Sequence, residues 1–134
     1  MNFSKTASYS LNVLSYMACH EDESVSAAYL HKRLSIPYSY LRQILTNLSH
    51  SGFIQSKRGR SGGFAFNMAK ENISIADIIA ATDGLESLNQ CILGFNKCPF
   101  DNQCPMHEIW ESTRNSILKI LKETSLADLV KEKN

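Results

Sequence analysis

Hydrophobic residues recur at helical spacing through the first fifty residues of the chain. Residues 5–20 and the segment after Pro37 each place apolar side chains on one face, which predicts two amphipathic helices with a shorter helix between them. Ser26 can cap the shorter helix, which would run to about Leu34, and Gly52 fits the position after the end of the third helix. The residues expected to face the core are Ala7, Leu11, Val13, Leu14, Met17 and Ala18 in the first helix, Ala27, Leu30 and Leu34 in the second, and Leu41, Ile44, Leu45 and Leu48 in the third.

A β-hairpin is predicted directly after these three helices. Phe53 and Ile54 begin one short strand, and Phe64 to Asn67 form the returning strand. The connecting stretch "KRGRSGG" contains glycines that permit the backbone angles of a tight turn, with its arginines projecting outward. Three helices followed by a two-stranded ribbon are the order of a winged helix-turn-helix, whose second and third helices form the DNA-binding turn motif.

The remaining residues predict three more helices. Ser74 and Asp77 form a capping box ahead of "IADIIAATDG", and Gly84 is expected to end that helix. A long helix from about Pro105 to Thr124 follows, and Ser125 caps a last short one. The apolar stripe of the long helix consists of Met106, Trp110, Ile117, Ile120 and Leu121.

The sequence therefore predicts a mainly α fold with a small β-hairpin wing. Residues 1–84 are expected to form a winged helix-turn-helix domain, and residues 85–134 to hold a cysteine-rich segment and the long C-terminal helix. At 134 residues the chain can bury a real core. It carries neither a signal-peptide pattern nor an apolar run of the ~18 residues that a membrane span needs, which predicts a cytoplasmic protein with no membrane partner.

Charge is distributed unevenly although the formal net charge is only +1. No acidic residue occurs from Ser24 to Lys70, a stretch with seven lysines and arginines, whereas residues 71–134 contain ten acidic and six basic residues. The N-terminal part is thus suited to a polyanion such as double-stranded DNA, and the alternative is a solvated basic face without a ligand.

The third helix and the hairpin contain the candidate DNA-binding residues. If the leucine and isoleucine stripe of the helix faces the core, a polar set faces outward, and Arg and Gln or Asn side chains pair well with guanine and adenine edges. Ser and Tyr hydroxyls more often contact phosphates, and a narrow glycine-containing tip can enter the minor groove. The candidates are Tyr38, Ser39, Tyr40, Arg42, Gln43 and Asn47 on the helix, and Lys57, Arg58, Gly59 and Arg60 on the hairpin.

The stretch "CILGFNKCPFDNQCPMH" is dense in metal-binding atoms. Cys91, Cys98, Cys104 and His107 offer three thiolates and one imidazole, a set that suits an iron–sulfur cluster or zinc. A third interpretation, cysteines packed as small hydrophobic residues, fits Cys19 on the first helix but not the three in this polar segment. Spacing alone does not decide between the metals; an iron–sulfur cluster, [2Fe–2S] or [4Fe–4S], is the preferred hypothesis and zinc the alternative.

Together the stretches "SYLRQIL", "RGRSGGF", "ISIADIIAATDG" and "CPMH" resemble the Rrf-two family of bacterial winged-helix transcriptional regulators, the IscR- and NsrR-like proteins. The resemblance extends from about residue 3 to residue 130. It implies a homodimeric regulator, most often a repressor, that reads a palindromic operator and responds to redox, nitric oxide or iron–sulfur status. It also implies that the long C-terminal helix forms much of the dimer contact and that the three cysteines with a fourth ligand hold a cluster.

Two features depart from the family pattern. Six residues separate Cys91 from Cys98, one more than is usual in cluster-binding relatives, and Arg42 stands where relatives more often carry Glu. The cluster type and the operator sequence are therefore not carried over, and Asp101 or Glu108 remains an alternative to His107 as the fourth ligand.

An enzyme is the competing class of function, in the form of a small iron–sulfur redox protein. The sequence has no nucleotide-type glycine loop and no nucleophile with an adjacent base, and an electron carrier has no need of a basic helix and wing. The sequence therefore favours a regulator and not an enzyme.

Overall fold

The computed structural model describes residues 4–59, 62–85, 93, 99 and 104–131 of the chain. Helices form most of these residues, together with one two-stranded antiparallel sheet. This architecture confirms the predicted mainly α fold with a hairpin wing. The elements in chain order are α1 (Lys5–Cys19), α2 (Ala27–Leu34), α3 (Tyr38–His50), β1 (Ile54–Lys57), β2 (Gly63–Phe66), a 3₁₀ turn (Lys70–Asn72), α4 (Ile75–Thr82), α5 (Pro105–Glu123) and α6 (Leu126–Val130).

Local sequence signals set the helix ends. The Ser26 hydroxyl accepts a hydrogen bond from the Tyr29 amide at the start of α2, as its capping role predicts. Both α4 and α6 begin with a reciprocal capping box, formed by Ser74 with Asp77 and by Ser125 with Asp128. At the end of α3, Gly52 has a φ of +86°, the left-handed conformation expected of a residue after a helix.

One hydrophobic core joins α1, α3, α4 and α6. The apolar faces predicted for α1 and α3 lie in it, and in α2 only Leu30 is fully buried. The core also contains Leu126 and Val130 of α6, which are 0% and 2% exposed. Since α6 lies in the predicted second segment, the end of the chain packs back on the winged-helix part.

Backbone hydrogen bonds strengthen this return. The Leu126 amide donates to the Ile73 carbonyl at 2.7 Å, and the Ile75 amide donates to the Thr124 carbonyl at 2.9 Å. The two helix starts, at α4 and α6, are thereby held side by side by a short antiparallel bridge between Ser74 and Ser125.

The hairpin is attached to the helical part through Val25. Ile54 of β1 pairs with Phe66 of β2, and Val25, just before α2, exchanges two backbone hydrogen bonds with Phe64 at 2.7 and 3.2 Å. Phe53 and Ile54 are buried against the core, so the base of the wing is fixed while its tip projects.

The apolar stripe predicted for α5 divides into two. Trp110 is buried, and Ile117 and Leu121 are half-buried, whereas Met106 and Ile120 remain exposed. Ile109, which the prediction omitted, is 60% exposed and lies beside the exposed half. None of the helices in the described ranges has the length and apolar character that crossing a membrane would require.

Candidate nucleic-acid interface and cysteine segment

The turn between α2 and α3 sets the direction of the candidate recognition helix. Ser35 ends α2 in the left-handed conformation, with a φ of 57°, and Ile36 is fully buried beneath the turn. The Nδ1 atom of His31 lies 2.5 Å from the Ile36 carbonyl oxygen, so a side chain of α2 is tied to the turn. These contacts anchor the start of α3.

One side of α3 is buried and the other is open. Leu41, Ile44, Leu45 and Leu48 are at most 1% exposed, as the spacing predicts. The structure brings together four of the predicted DNA-contacting residues on the opposite, exposed side: Ser39, Arg42, Gln43 and Asn47. We call these four residues, with Thr46 between them, the polar face of α3.

Tyr38 and Arg42 contact each other at the start of this polar face. The guanidinium carbon of Arg42 lies 5.8 Å from the centroid of the Tyr38 ring, within the range of a cation–π contact. Tyr38 is 40% exposed, and the edge of its ring packs on His31 with centroids 5.7 Å apart.

Tyr40 lies apart from the other predicted DNA-contacting residues. It is half-buried, its hydroxyl is hydrogen-bonded to the Thr6 hydroxyl, and its ring packs edge-on against Tyr9 at 5.5 Å. Its side chain therefore joins α3 to α1 and is not part of the exposed polar face, because residues two positions apart on a helix point to different sides.

The wing presents Lys57, Arg58 and Gly59 to solvent, while Arg60 lies outside the described residues. The Gly62 amide donates to the Gly59 carbonyl at 3.0 Å and closes the turn, and Gly59 has a φ of +116°, which favours glycine. In the part of the chain that the structure describes, ion pairs involve Lys70 with Glu21 and His107 with Glu111. The side chains of Arg42, Lys57 and Arg58 are in neither pair.

Cys104 and His107 lie on the first turn of α5, where the sequence predicts a helix start. Cys104 is half-buried at the capping position without a side-chain cap bond, and its carbonyl accepts from the His107 amide at 3.0 Å. The exposed His107 ring approaches the Glu111 carboxylate at 3.8 Å. Half of the predicted ligand set is thus on one helical turn, with an imidazole open to a further contact.

The other two predicted ligands, Cys91 and Cys98, lie outside the described residues. A search restricted to residues 4–59, 62–85, 93, 99 and 104–131 finds no cluster of three or more His, Cys, Asp or Glu able to hold a metal. Cys19 is half-buried against the core of α1. The metal-site prediction therefore stays a prediction.

Sequence reasoning missed two contacts that fix α1. The Ser4 amide donates to Asp83 Oδ2 at 2.9 Å, and the Ser4 hydroxyl donates to Asp83 Oδ1. The Thr6–Tyr40 hydrogen bond is the second. Ser4 is a recognisable helix cap, but its partner is 79 residues away, and no local signal identifies it.

Comparison with known proteins matches residues 3–132 to the Rrf2 family model, described as an iron-dependent transcriptional regulator. A candidate HTH-type transcriptional regulator of Aquifex aeolicus (strain VF5) is 33% identical over 132 residues, 97% of this chain and 92% of the relative. The HTH-type transcriptional regulator IscR of Xenorhabdus nematophila is 29% identical over 98% of this chain and 80% of its own.

Solved structures share the fold over nearly the whole chain. CymR, the global cysteine regulator of B. subtilis, has a TM-score of 0.82 at 21% identity, covering 100% of this chain and 99% of its own. IscR of T. potens has a TM-score of 0.77 at 24% identity, covering 100% of this chain and 89% of its own. At these identities the structural likeness establishes the winged-helix fold alone.

Proposed function

Because the chain belongs to the Rrf2 family of transcriptional regulators and is not an enzyme, we propose that it binds an operator through the polar face of α3 and the wing. We further propose that the cysteine segment makes this binding responsive to redox, nitric oxide or iron–sulfur status. The observation that carries the DNA part is the contrast across α3, with four fully packed aliphatic residues on one side and an exposed polar face on the other.

Such a contrast is what major-groove reading requires. One side of the helix must be held rigidly so that the other can present hydrogen-bonding groups to base edges. Arg42 can pair with guanine, and Gln43 or Asn47 with adenine, in each case through two groups at matching spacing. Tyr40 supports this arrangement from behind, since it ties α3 to α1.

The wing adds positive charge next to the polar face. Lys57 and Arg58 are exposed on a hairpin whose base is bonded to Val25, directly before α2. The tip therefore has a defined place relative to the helix-turn-helix. In the proposed complex it contacts phosphates and the adjacent minor groove, with Arg60 as a further contact.

A palindromic operator follows from a second proposal, that the protein is a homodimer. The exposed apolar residues Met106, Ile109 and Ile120 of α5 support it, because soluble proteins seldom leave three large apolar side chains on one helix face without a partner. Two copies of α3 would then lie roughly 34 Å apart, one turn of the duplex.

For the sensing part, the described residues fit an iron–sulfur cluster as far as they extend. Cys104 is a thiol at a helix N-terminus, where the helix dipole favours the thiolate, and His107 is one turn away with an open ring. With Cys91 and Cys98 they would hold the cluster, and a cluster held there would supply a centre that reacts with oxygen or nitric oxide.

Hydrogen bonds of this chain connect the end of α4 to the DNA-binding side. Asp83, which stands just before the cysteine segment in the sequence, is bonded to Ser4 at the start of α1. From there Thr6 is bonded to Tyr40 on α3. This route offers a physical means by which a change in the segment would bias the position of α3.

The DNA part is tested by selection from a random duplex library, followed by fluorescence anisotropy on the selected duplex at several salt concentrations. We expect an inverted repeat. Arg58→Ala should weaken binding and lower the slope of log affinity against log salt by about 0.9 for each phosphate that the arginine neutralises in the wild-type complex. Lys122→Ala on α5 is the charge-matched control and should leave the slope unchanged. No enrichment of any duplex would contradict the proposal.

The cofactor is tested by a visible absorption spectrum and metal analysis of protein purified without oxygen. We expect a coloured protein containing iron and sulfide, with the colour absent in Cys98→Ala and kept in the matched control Cys19→Ala. A colourless protein with stoichiometric zinc would replace the sensing hypothesis with a structural metal site and leave the DNA part standing.

A further inference from the structure

We infer that Tyr38 is a positioning residue that sets the base selectivity of Arg42, in addition to any phosphate contact of its own. The inference rests on the proposed reading of DNA by α3. It concerns how a long side chain on an exposed helix face acquires one orientation before DNA arrives.

The two residues are four positions apart on α3, so their side chains are neighbours on the same face. The guanidinium carbon of Arg42 lies 5.8 Å from the Tyr38 ring centroid. Long helical side chains lean toward the N-terminus, and this contact holds the guanidinium at the N-terminal end of α3. That end of a recognition helix is the part that meets base edges.

The Tyr38 ring is itself held in place. The His31 ring meets it nearly perpendicularly, with an interplanar angle of 80° and centroids 5.7 Å apart. His31 in turn is tied by Nδ1 to the Ile36 carbonyl in the turn. A stack therefore runs from α2 through His31 and Tyr38 to Arg42, and the outermost group inherits its position from the turn.

An aromatic partner suits a DNA-reading arginine better than a carboxylate would. A carboxylate binds the guanidinium through its N–H groups, the same groups that must reach guanine. A ring face attracts the cation without accepting those hydrogen bonds, so the donors stay available. The chain is consistent with this arrangement, since it has no Asp or Glu from Ser24 to Lys70.

The benefit is a smaller loss of side-chain freedom on binding. An unrestrained arginine must give up its rotamers when it pairs with a base, whereas a stacked one has given up part of them already. An exposed cation–π contact of ordinary strength corresponds to roughly two- to five-fold in affinity for each arginine. If two protomers bind, the effects multiply to about five- to twenty-fold.

The test uses the duplex that the wild-type protein selects and a panel of its single-base-pair variants. Anisotropy is measured for wild type, Tyr38→Phe, Tyr38→Leu, Arg42→Ala and the double variant Tyr38→Leu/Arg42→Ala. We expect Tyr38→Leu to reduce selectivity only at the base pair where Arg42→Ala reduces it. Tyr38→Phe should behave like wild type, and the double variant like Arg42→Ala.

Three results would overturn the inference: effects that add in the double variant, a uniform weakening over all base pairs in Tyr38→Leu, or an equal effect in Tyr38→Phe, which would make the hydroxyl the active group. Thermal unfolding checks that each variant is folded, and Tyr38→Met replaces Tyr38→Leu if the latter is not. Failure of the proposed function looks different, because the wild-type protein itself would then select no duplex.

Discussion

At the scale of single residues, Gly63 shows a requirement that its local sequence does not reveal. The "GG" pair predicts a turn, but the structure places Gly63 with a φ of +151° directly against the backbone of Val25. A Cβ atom at this position would lie 2.5 Å from the Val25 carbonyl oxygen. The close approach depends on pairing between residues far apart in the chain, so sequence patterns predict the glycine's flexibility and not its crowding.

Substitution of Gly63 by Ala should therefore loosen the wing. We expect the free energy of unfolding to fall by at least about 1 kcal/mol more than in Gly59→Ala, measured by urea denaturation. Gly59 is the matched control because it has a φ of +116° but meets nothing within 4 Å. Equal destabilisation by the two substitutions would show that backbone strain alone, and not the close approach to Val25, accounts for the effect.

At the scale of elements, helix positions were largely predictable and side-chain partners were not. The caps at Ser26, Ser74 and Ser125 and the end of α3 at Gly52 agree with the sequence signals, because capping is local chemistry. Tyr40 turns inward because Thr6 and Tyr9 of α1 are close to it, and such tertiary partners leave no periodic trace in the sequence.

The capping box of α6 makes a prediction about acid stability. Hydrogen bonds from the backbone and side chain of Ser125 lower the pKa of Asp128, with a smaller contribution from Lys131. Because the pKa is lower in the folded state than in the unfolded chain, this stabilisation is present above the ordinary Asp pKa of about 4 and is lost as pH falls through the lowered value.

Asp128→Ala should consequently destabilise the protein more at pH 7 than at pH 3. Urea unfolding of wild type and variant at both pH values measures the difference, and α6 matters to the whole fold because Leu126 and Val130 lie in the core. A difference between wild type and variant that stays constant with pH would contradict a role for the Asp128 charge.

At the scale of the whole molecule, the long helix α5 has one side packed on its own chain and one side open. The sequence pattern identified the stripe but could not divide it, since the side covered by α4 and the core depends on where the chain returns. The exposed side, with Met106, Ile109 and Ile120, is the surface proposed for a second copy. The return of α6 to the N-terminal core was likewise not predictable from periodicity.

A charge placed on that exposed side should weaken self-association. We expect Ile120→Glu to raise the dimer dissociation constant at least about tenfold, because an unpaired carboxylate is costly to bury. Asn115→Glu adds the same charge to the polar side of α5 and is the control. Sedimentation velocity over a range of protein concentrations measures both variants. Unchanged association of Ile120→Glu would exclude this surface as the interface.

The reading of duplex DNA by the polar face of α3 is tested most directly by one binding measurement. Anisotropy titrations compare wild type with Arg42→Ala/Gln43→Ala on the selected duplex and on a scrambled duplex of equal length. Each specific base contact is worth about 1–3 kcal/mol, so we expect affinity for the selected duplex to fall at least about tenfold and affinity for the scrambled one to fall much less. Equal affinities of the two proteins for the selected duplex would contradict the account.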